Sequence, residues 1–200
     1  MKPWSPFPYS HTCVVRYQQE FSINPAVGVS GDYVFSANGL YDPNITGVGH
    51  QPYGFDQLMV LFDHYTVTAS RLRLRLSSNN AIPFWMTCLL SDTNVSLAGN
   101  TSEIILEIPS ASSELIGYNT SSVGKGDKTV AFDASKFFYI KNFVGKTNYR
   151  GDAGSNPVEQ AYFHCILSPN ATGDDVANQV CWATIEYEVT FTEPRILPPS

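Results

Sequence analysis

The sequence predicts an all-β fold: one eight-stranded antiparallel sandwich in Greek-key order, a jelly roll, with short helices in its loops. Three observations lead there. Apolar and polar residues alternate over strand-length stretches, as where Cys13, Val15, Tyr17, Phe21 and Ile23 oppose Thr12, Arg16, Gln18 and Glu20. The 14 Gly and 13 Pro interrupt the chain often, and no long Ala/Leu/Glu/Lys stretch offers an extended helix. Some connections run to ~10–15 residues, longer than hairpins need, which disfavours an up-and-down barrel.

Taken in order, His11 to Ile23 is a half-buried strand that Asn24-Pro25 ends, and Tyr33 to Leu40 is a second. Ala37 to Tyr65 then organises the rest. Asn38-Gly39, Asp42-Pro43, Gly47, Gly49, Pro52 and Gly54 punctuate an ordered loop. Phe55, Leu58, Met59 and Phe62 follow at helical spacing, with Asp56 expected as the N-cap. Thr66 to Ser77 sets Leu72, Leu74 and Leu76 against Arg71, Arg73 and Arg75. Leucines on one face require a core, so three guanidinium groups line up on the other, ~6.5–7 Å apart. Either carboxylates of a neighbouring strand or subunit compensate them, or phosphates do.

Pro83 to Leu90 is apolar on both faces and predicts a strand covered on both sides. Glu103 to Ile108 reads as a brief apolar run stopped by Pro109, and Ser110 to Tyr118 as a helical turn. Gly124 to Asp127 reads as a hairpin-like turn before a strand from Thr129 to Phe132, with a short helix within Ser135 to Phe143. Val158 to Leu167 is a strand. In the last strand Cys181, Ala183, Ile185, Tyr187, Val189 and Phe191 alternate with Thr184, Glu186, Glu188, Thr190 and Thr192, and it is expected to pair with the first. The domain thus spans 11–193, between an extended arm over 1–10 and a Pro-rich tail over 194–200.

Size and charge bound the function. Two hundred residues, 43% of them hydrophobic, suit one domain with a sizeable core. The net charge of -6 argues against capture of nucleic acid by the whole surface, so any such contact is local. No apolar run reaches membrane-spanning length, and the start is too proline-broken for a signal peptide. Five Asn-x-Ser/Thr sequons, at Asn44, Asn94, Asn100, Asn119 and Asn170, fit Asn-rich loops or a secreted glycoprotein. Cys13, Cys88, Cys165 and Cys181 show no C-x-x-C spacing; buried thiols are expected, with disulfide pairing open.

Catalysis finds no constellation, and no cofactor is expected. His11, His50, His64 and His164 are scattered, without the closely spaced pair of a cupin metal site. No Gly-x-Ser-x-Gly elbow, P-loop or dinucleotide fingerprint occurs. A metal shared by His50 and His64 with Asp56 or Asp63 is the weaker alternative to hydrogen-bonded loop histidines.

The segments Ala37-Asn38-Gly39-Leu40-Tyr41-Asp42-Pro43-Asn44 and Gly47-Val48-Gly49-His50-Gln51-Pro52-Tyr53-Gly54-Phe55-Asp56-Gln57 resemble the capsid proteins of circular Rep-encoding single-stranded DNA (CRESS) viruses, which are circovirus-like. Glu188 to Arg195 is similar to their final strand. The resemblance implies a jelly roll whose identical copies close into a small icosahedral shell, of T=1 size, around a single-stranded DNA genome. It further implies residence in the virion and assembly in the host nucleus. His50, Gln51, Pro52, Tyr53, Phe55, Asp56 and Gln57 are then expected at a subunit interface, and Arg16, Arg71, Arg73 and Arg75 at the nucleic acid. Such capsids usually begin with a long Arg/Lys-rich arm, whereas Met1 to Ser10 holds only Lys2. The alternatives are the coat protein of a small RNA or satellite virus with a related fold, and a secreted carbohydrate-binding jelly roll.

Overall fold

The computed structural model describes residues 8–78, 80–117 and 123–196. These form eight strands, β1 (Ser10–Ile23), β2 (Gly31–Ser36), β3 (Phe62–Ser78), β4 (Phe84–Ser91), β5 (Ser112–Ile116), β6 (Gly124–Asp133), β7 (Tyr162–Pro169) and β8 (Gln179–Pro194), with helices α1 (Phe55–Leu61), α2 (Ser102–Glu107) and α3 (Ala134–Phe137) between them. One sheet has the order β1-β8-β3-β6 and the other β2-β7-β4-β5, so the eight-stranded antiparallel jelly roll is the fold. Every connection except β4–β5 crosses between sheets, which is why the loops are long.

Alternation fixes the registers. Along β1, Val15, Tyr17, Phe21 and Ile23 are buried, and β1 pairs with β8 from Ser10↔Thr192 to Ile23↔Gln179. Leu72 and Leu74 are fully buried between the sheets with Ile185, Tyr187 and Phe163. Each such leucine contributes roughly 1.5–3 kcal/mol by leaving water. The second sheet is covered on its outer side as well, where Leu89, Ile166 and Ile105 of α2 form a smaller cluster, as the two-faced apolar pattern of β4 predicts.

Several local readings are corrected. Glu103 to Ile108 is mostly helix, and the more sheltered positions here, Ser102, Ile105 and Ile108, lie three apart as one helix face requires. The predicted helical turn over Ser110 to Tyr118 contains β5, an edge strand that gains its ladder from β4 (Met86↔Glu114) and has little alternation of its own. Tyr118 lies outside the described residues, as do Asn119 and the ends of the expected arm and tail. The Gly124 to Asp127 turn is the start of β6, where a side chain at Gly126 would collide with Met86 at 2.6 Å. β2 ends at Ser36 rather than Leu40, and β7 begins at Tyr162 rather than Val158. The α1 N-cap is Gly54, with φ 87°, and Asp56 sits in the first turn. All four cysteines are free, Cys88 directly opposite Cys165, and burial pushes the Cys181 thiol up to about 12.

Candidate nucleic-acid interface and loop surface

The outer face of the first sheet is a grid set by the strand registers. Arg16, Glu186, Arg71 and Ala131 form one row across β1, β8, β3 and β6. The next row is Gln18, Thr184, Arg73 and Thr129, and the third is Glu20, Trp182, Arg75 and Asp127. Residues of all three rows line a groove of about 490 Å³ that brings Arg16, Arg71, Arg73 and Arg75 together. The four arginines singled out by the sequence therefore share one site.

Carboxylates of the neighbouring strands supply part of the compensation on this face. Glu186 accepts from Arg16 at 2.5 Å and lies 3.6 Å from Arg71, while Asp127 takes both its oxygens to Arg73. Arg16's hydrogen bond chiefly holds the Glu186 carboxyl below the usual carboxylate range, and Arg73's does the same for Asp127. Four guanidinium groups thus meet two carboxylates in the groove lining, a surplus of two positive charges. Arg75 carries the uncompensated part: its Nε is sheltered from solvent with no hydrogen-bond partner, as is the Thr184 hydroxyl. A buried donor without a partner costs about 1–3 kcal/mol, which an incoming anion would relieve.

The organising loop is held by buried side chains. Asn38 donates to the Glu159 carbonyl at 2.9 Å and accepts from the Ala161 amide at 3.0 Å. Asn44, wholly buried, donates to Gln19 and Tyr33 and accepts from Thr46. Its sequon is therefore closed to glycan attachment in the folded chain. The Tyr65 hydroxyl accepts the Leu40 amide at 3.0 Å, and the Ser70 hydroxyl donates to the Ala37 carbonyl at 2.5 Å. A side chain at Gly39 would strike Asn156 at 2.5 Å, which explains glycine at that point. The Ala-Asn-Gly-Leu-Tyr-Asp-Pro-Asn string is thus a self-bonded plug in the end of the sandwich.

Beyond the plug the chain emerges. The His50 ring lies 4.6 Å from that of Tyr17, with its nitrogens near the Gln18 and Gln51 carbonyls. With its amide turned to donate, Gln51 reaches the Asp56 carboxylate at 2.5 Å. Phe55 is buried against Tyr65, whereas Tyr53 is 94% exposed. His50, Gln51, Tyr53, Asp56 and Gln57, five of the seven predicted interface residues, therefore reach the outer surface, while Pro52 and Phe55 are buried beneath it. His64 bonds Glu193, which also binds Arg150, and Asp63 binds Arg195. These pairs bring Glu193-Pro194-Arg195 beside α1, so the two separated segments of the resemblance meet. Among the described residues no group of three or more His, Cys, Asp or Glu could hold a metal, and His50 and Asp56 have the other partners given above.

Sequence reasoning missed two features. Trp182 belongs to the grid, and counting back by two from Thr184 would have found it. His164, set among apolar residues of β7, is fully buried with Asp32 at 2.8 Å.

This arrangement defines a class, the jelly roll in which first and last strands are neighbours, and solved structures share it. The chain is similar to a mud crab tombus-like virus structure, at 14% identity over 97% of this chain and 96% of that one, with TM-score 0.52. It is similar to the nodavirus of the giant freshwater prawn Macrobrachium rosenbergii, in a semi-empty VLP (8% identity, 98% and 100% coverage, TM-score 0.51). The empty head of turnip yellow mosaic virus aligns over all of this chain and 90% of its own, at 12% identity and TM-score 0.50. At such identities the likeness is one of fold. No family model matches the sequence, and no curated protein does.

Proposed function

We propose that this chain is a viral coat-protein subunit that assembles with identical copies into a small icosahedral shell of T=1 size around a nucleic-acid genome. The observation that carries the reading is the jelly roll aligned over nearly the full length of chains solved as virus particles. The pre-ordered His50–Gln57 surface adds to it, because a loop already fixed by Asn44, Tyr65 and Gln51 loses little entropy when a neighbour docks. Arg16, Arg71, Arg73 and Arg75 face the genome or a subunit seam. The role is structural, with the virion as its place of residence.

Two genome chemistries compete. The motif resemblance favours circular single-stranded DNA, with assembly in the nucleus. The likeness to the tombus-like virus, nodavirus and turnip yellow mosaic virus structures favours instead the coat protein of an RNA virus. The Arg groove fits either, since phosphate is common to both.

Size-exclusion chromatography with electron microscopy tests assembly: particles in the void volume are expected, and a stable monomer or trimer under all conditions overturns it. Nuclease treatment of extracted particles then tells DNA from RNA. Alanine at Arg71, Arg73 and Arg75 together is expected to reduce the salt slope of binding by about 2, at ~0.7 per phosphate contact. Unchanged nucleic-acid content would remove the phosphate role.

A further inference from the structure

The face that carries the four arginines also carries an exposed indole. Trp182 stands directly opposite Arg75 on β3 and Glu20 on β1, and it is 40% exposed. Its neighbours along β8, Cys181 and Ala183, are wholly buried, so strand alternation turns the ring outward. With Gln18, Arg75, Leu76, Ser77 and Val180 it lines a second hollow of about 490 Å³, which shares Gln18 and Arg75 with the arginine groove. Among the described residues no aromatic ring stacks on it. Directly opposite residues in an antiparallel pair lie ~4.5–5.5 Å apart, so indole and guanidinium are side by side.

Two deficits therefore coincide. Arg75 has a sheltered Nε without an acceptor, because Asp127, its cross-strand neighbour, is taken by Arg73. Trp182 has a large apolar face without a cover. A phosphate supplies the first and a planar base the second, and one nucleotide contains both. A duplex cannot use the pair, since its bases are stacked inside the helix. An unpaired strand can, and base–aromatic stacking tolerates any base.

Resting on the nucleic-acid reading of the groove, we propose that Trp182 and Arg75 form a stacking subsite for single-stranded nucleic acid. The base lies on Trp182, its phosphate on Arg75, and the strand continues along Arg73, Arg71 and Arg16. Glu20, in the same row as Trp182, repels a phosphate on the β1 side and sends the backbone toward β3.

Fluorescence anisotropy tests this with three labelled polymers of equal length: oligo(dT), an abasic deoxyribose-phosphate strand, and a duplex. Each is mixed with the purified full chain before particles form. The wild-type protein should prefer oligo(dT) to both others. Trp182→Leu should weaken oligo(dT) binding roughly 5- to 150-fold while leaving the abasic strand unchanged. Trp182→Phe, which keeps a stacking ring, should retain most of the affinity, and this separates stacking from misfolding. Arg75→Ala should weaken both single strands and lower the salt slope by about 0.7. An oligo(dT)-to-abasic ratio unmoved by Trp182→Leu overturns the subsite but leaves the phosphate groove standing. Failure of the wild type to bind any of the three at low salt overturns both. Equal affinity for duplex and single strand also overturns it.

Discussion

On the outer side of the first sheet, Arg16, Arg71 and Arg73 hold Glu186 and Asp127 in water; on the outer side of the second, His164 holds Asp32 with neither side chain exposed. The exposed set is screened by solvent and redundant, one carboxylate serving two arginines, so its pairs contribute little to stability. The buried pair has no water to fall back on. His164 Nδ1 faces Asp32 at 2.8 Å and Nε2 faces the Thr93 carbonyl at 2.9 Å, while Asp32 also accepts the Leu97 amide. That network seats the segment between β4 and α2 on the sheet. Burial lowers the affinity of His164 for its proton, but the Asp32 hydrogen bond and charge, with the Thr93 carbonyl, outweigh it and raise the value overall. The contrast is one of purpose. Charges left in solvent remain available to an outside partner, whereas charges sealed in a sheet serve only the fold.

Three measurements sharpen or break this contrast. The largest effect is expected from Asp32→Ala, which leaves the buried His164 ring and the Leu97 amide without their acceptor and should cost about 3–5 kcal/mol in urea unfolding. A loss below 1 kcal/mol would put the two sites on equal terms. The second is a pH profile with opposite signs for the two. The stabilisation from His164 is complete below its unfolded value near 6.5 and is lost as pH rises through its higher folded value. Stabilisation from Glu186 and Asp127 is present above the ordinary carboxylate range, near 4, and is lost as pH falls through their lowered folded values. Urea midpoints should therefore decline on the alkaline side, and His164→Gln should flatten that limb while sparing the shallow acid one. The smallest effect on stability belongs to Glu186→Gln, expected within about 0.5 kcal/mol of wild type. The same change frees Arg16 and Arg71 and should strengthen oligonucleotide binding at low salt; weaker binding would show that Glu186 orients these arginines rather than competing for them.

The long strands were legible because burial on one face writes alternation into sequence, as in Leu72, Leu74 and Leu76 against the arginines. β5 was not, since Ser112, Ser113 and Glu114 are half-exposed at a sheet edge and their extended form comes from β4. α2 shows in the sequence only as a brief apolar run, because six residues with one buried side chain carry too little period to distinguish helix from strand. Within the groove, the arginines on β3 were visible as a run, whereas their relation to Asp127, Trp182 and Glu186 depends on three registers that no local pattern states. The pairing of His164 with Asp32 spans 132 positions and was hidden for the same reason.

The central place of β8 has a consequence for biosynthesis. β1 and β3 flank it and do not pair with each other, so the arginine-bearing sheet has no middle until the chain has been made beyond Gln179. Translation at ~5–20 residues per second leaves β1 waiting for roughly 8–30 s with its ladder unmade. On the proposed nucleic-acid reading, the grid that would gather a polyanion exists only once β8 is made, so a chain that stops short of it would lack the groove.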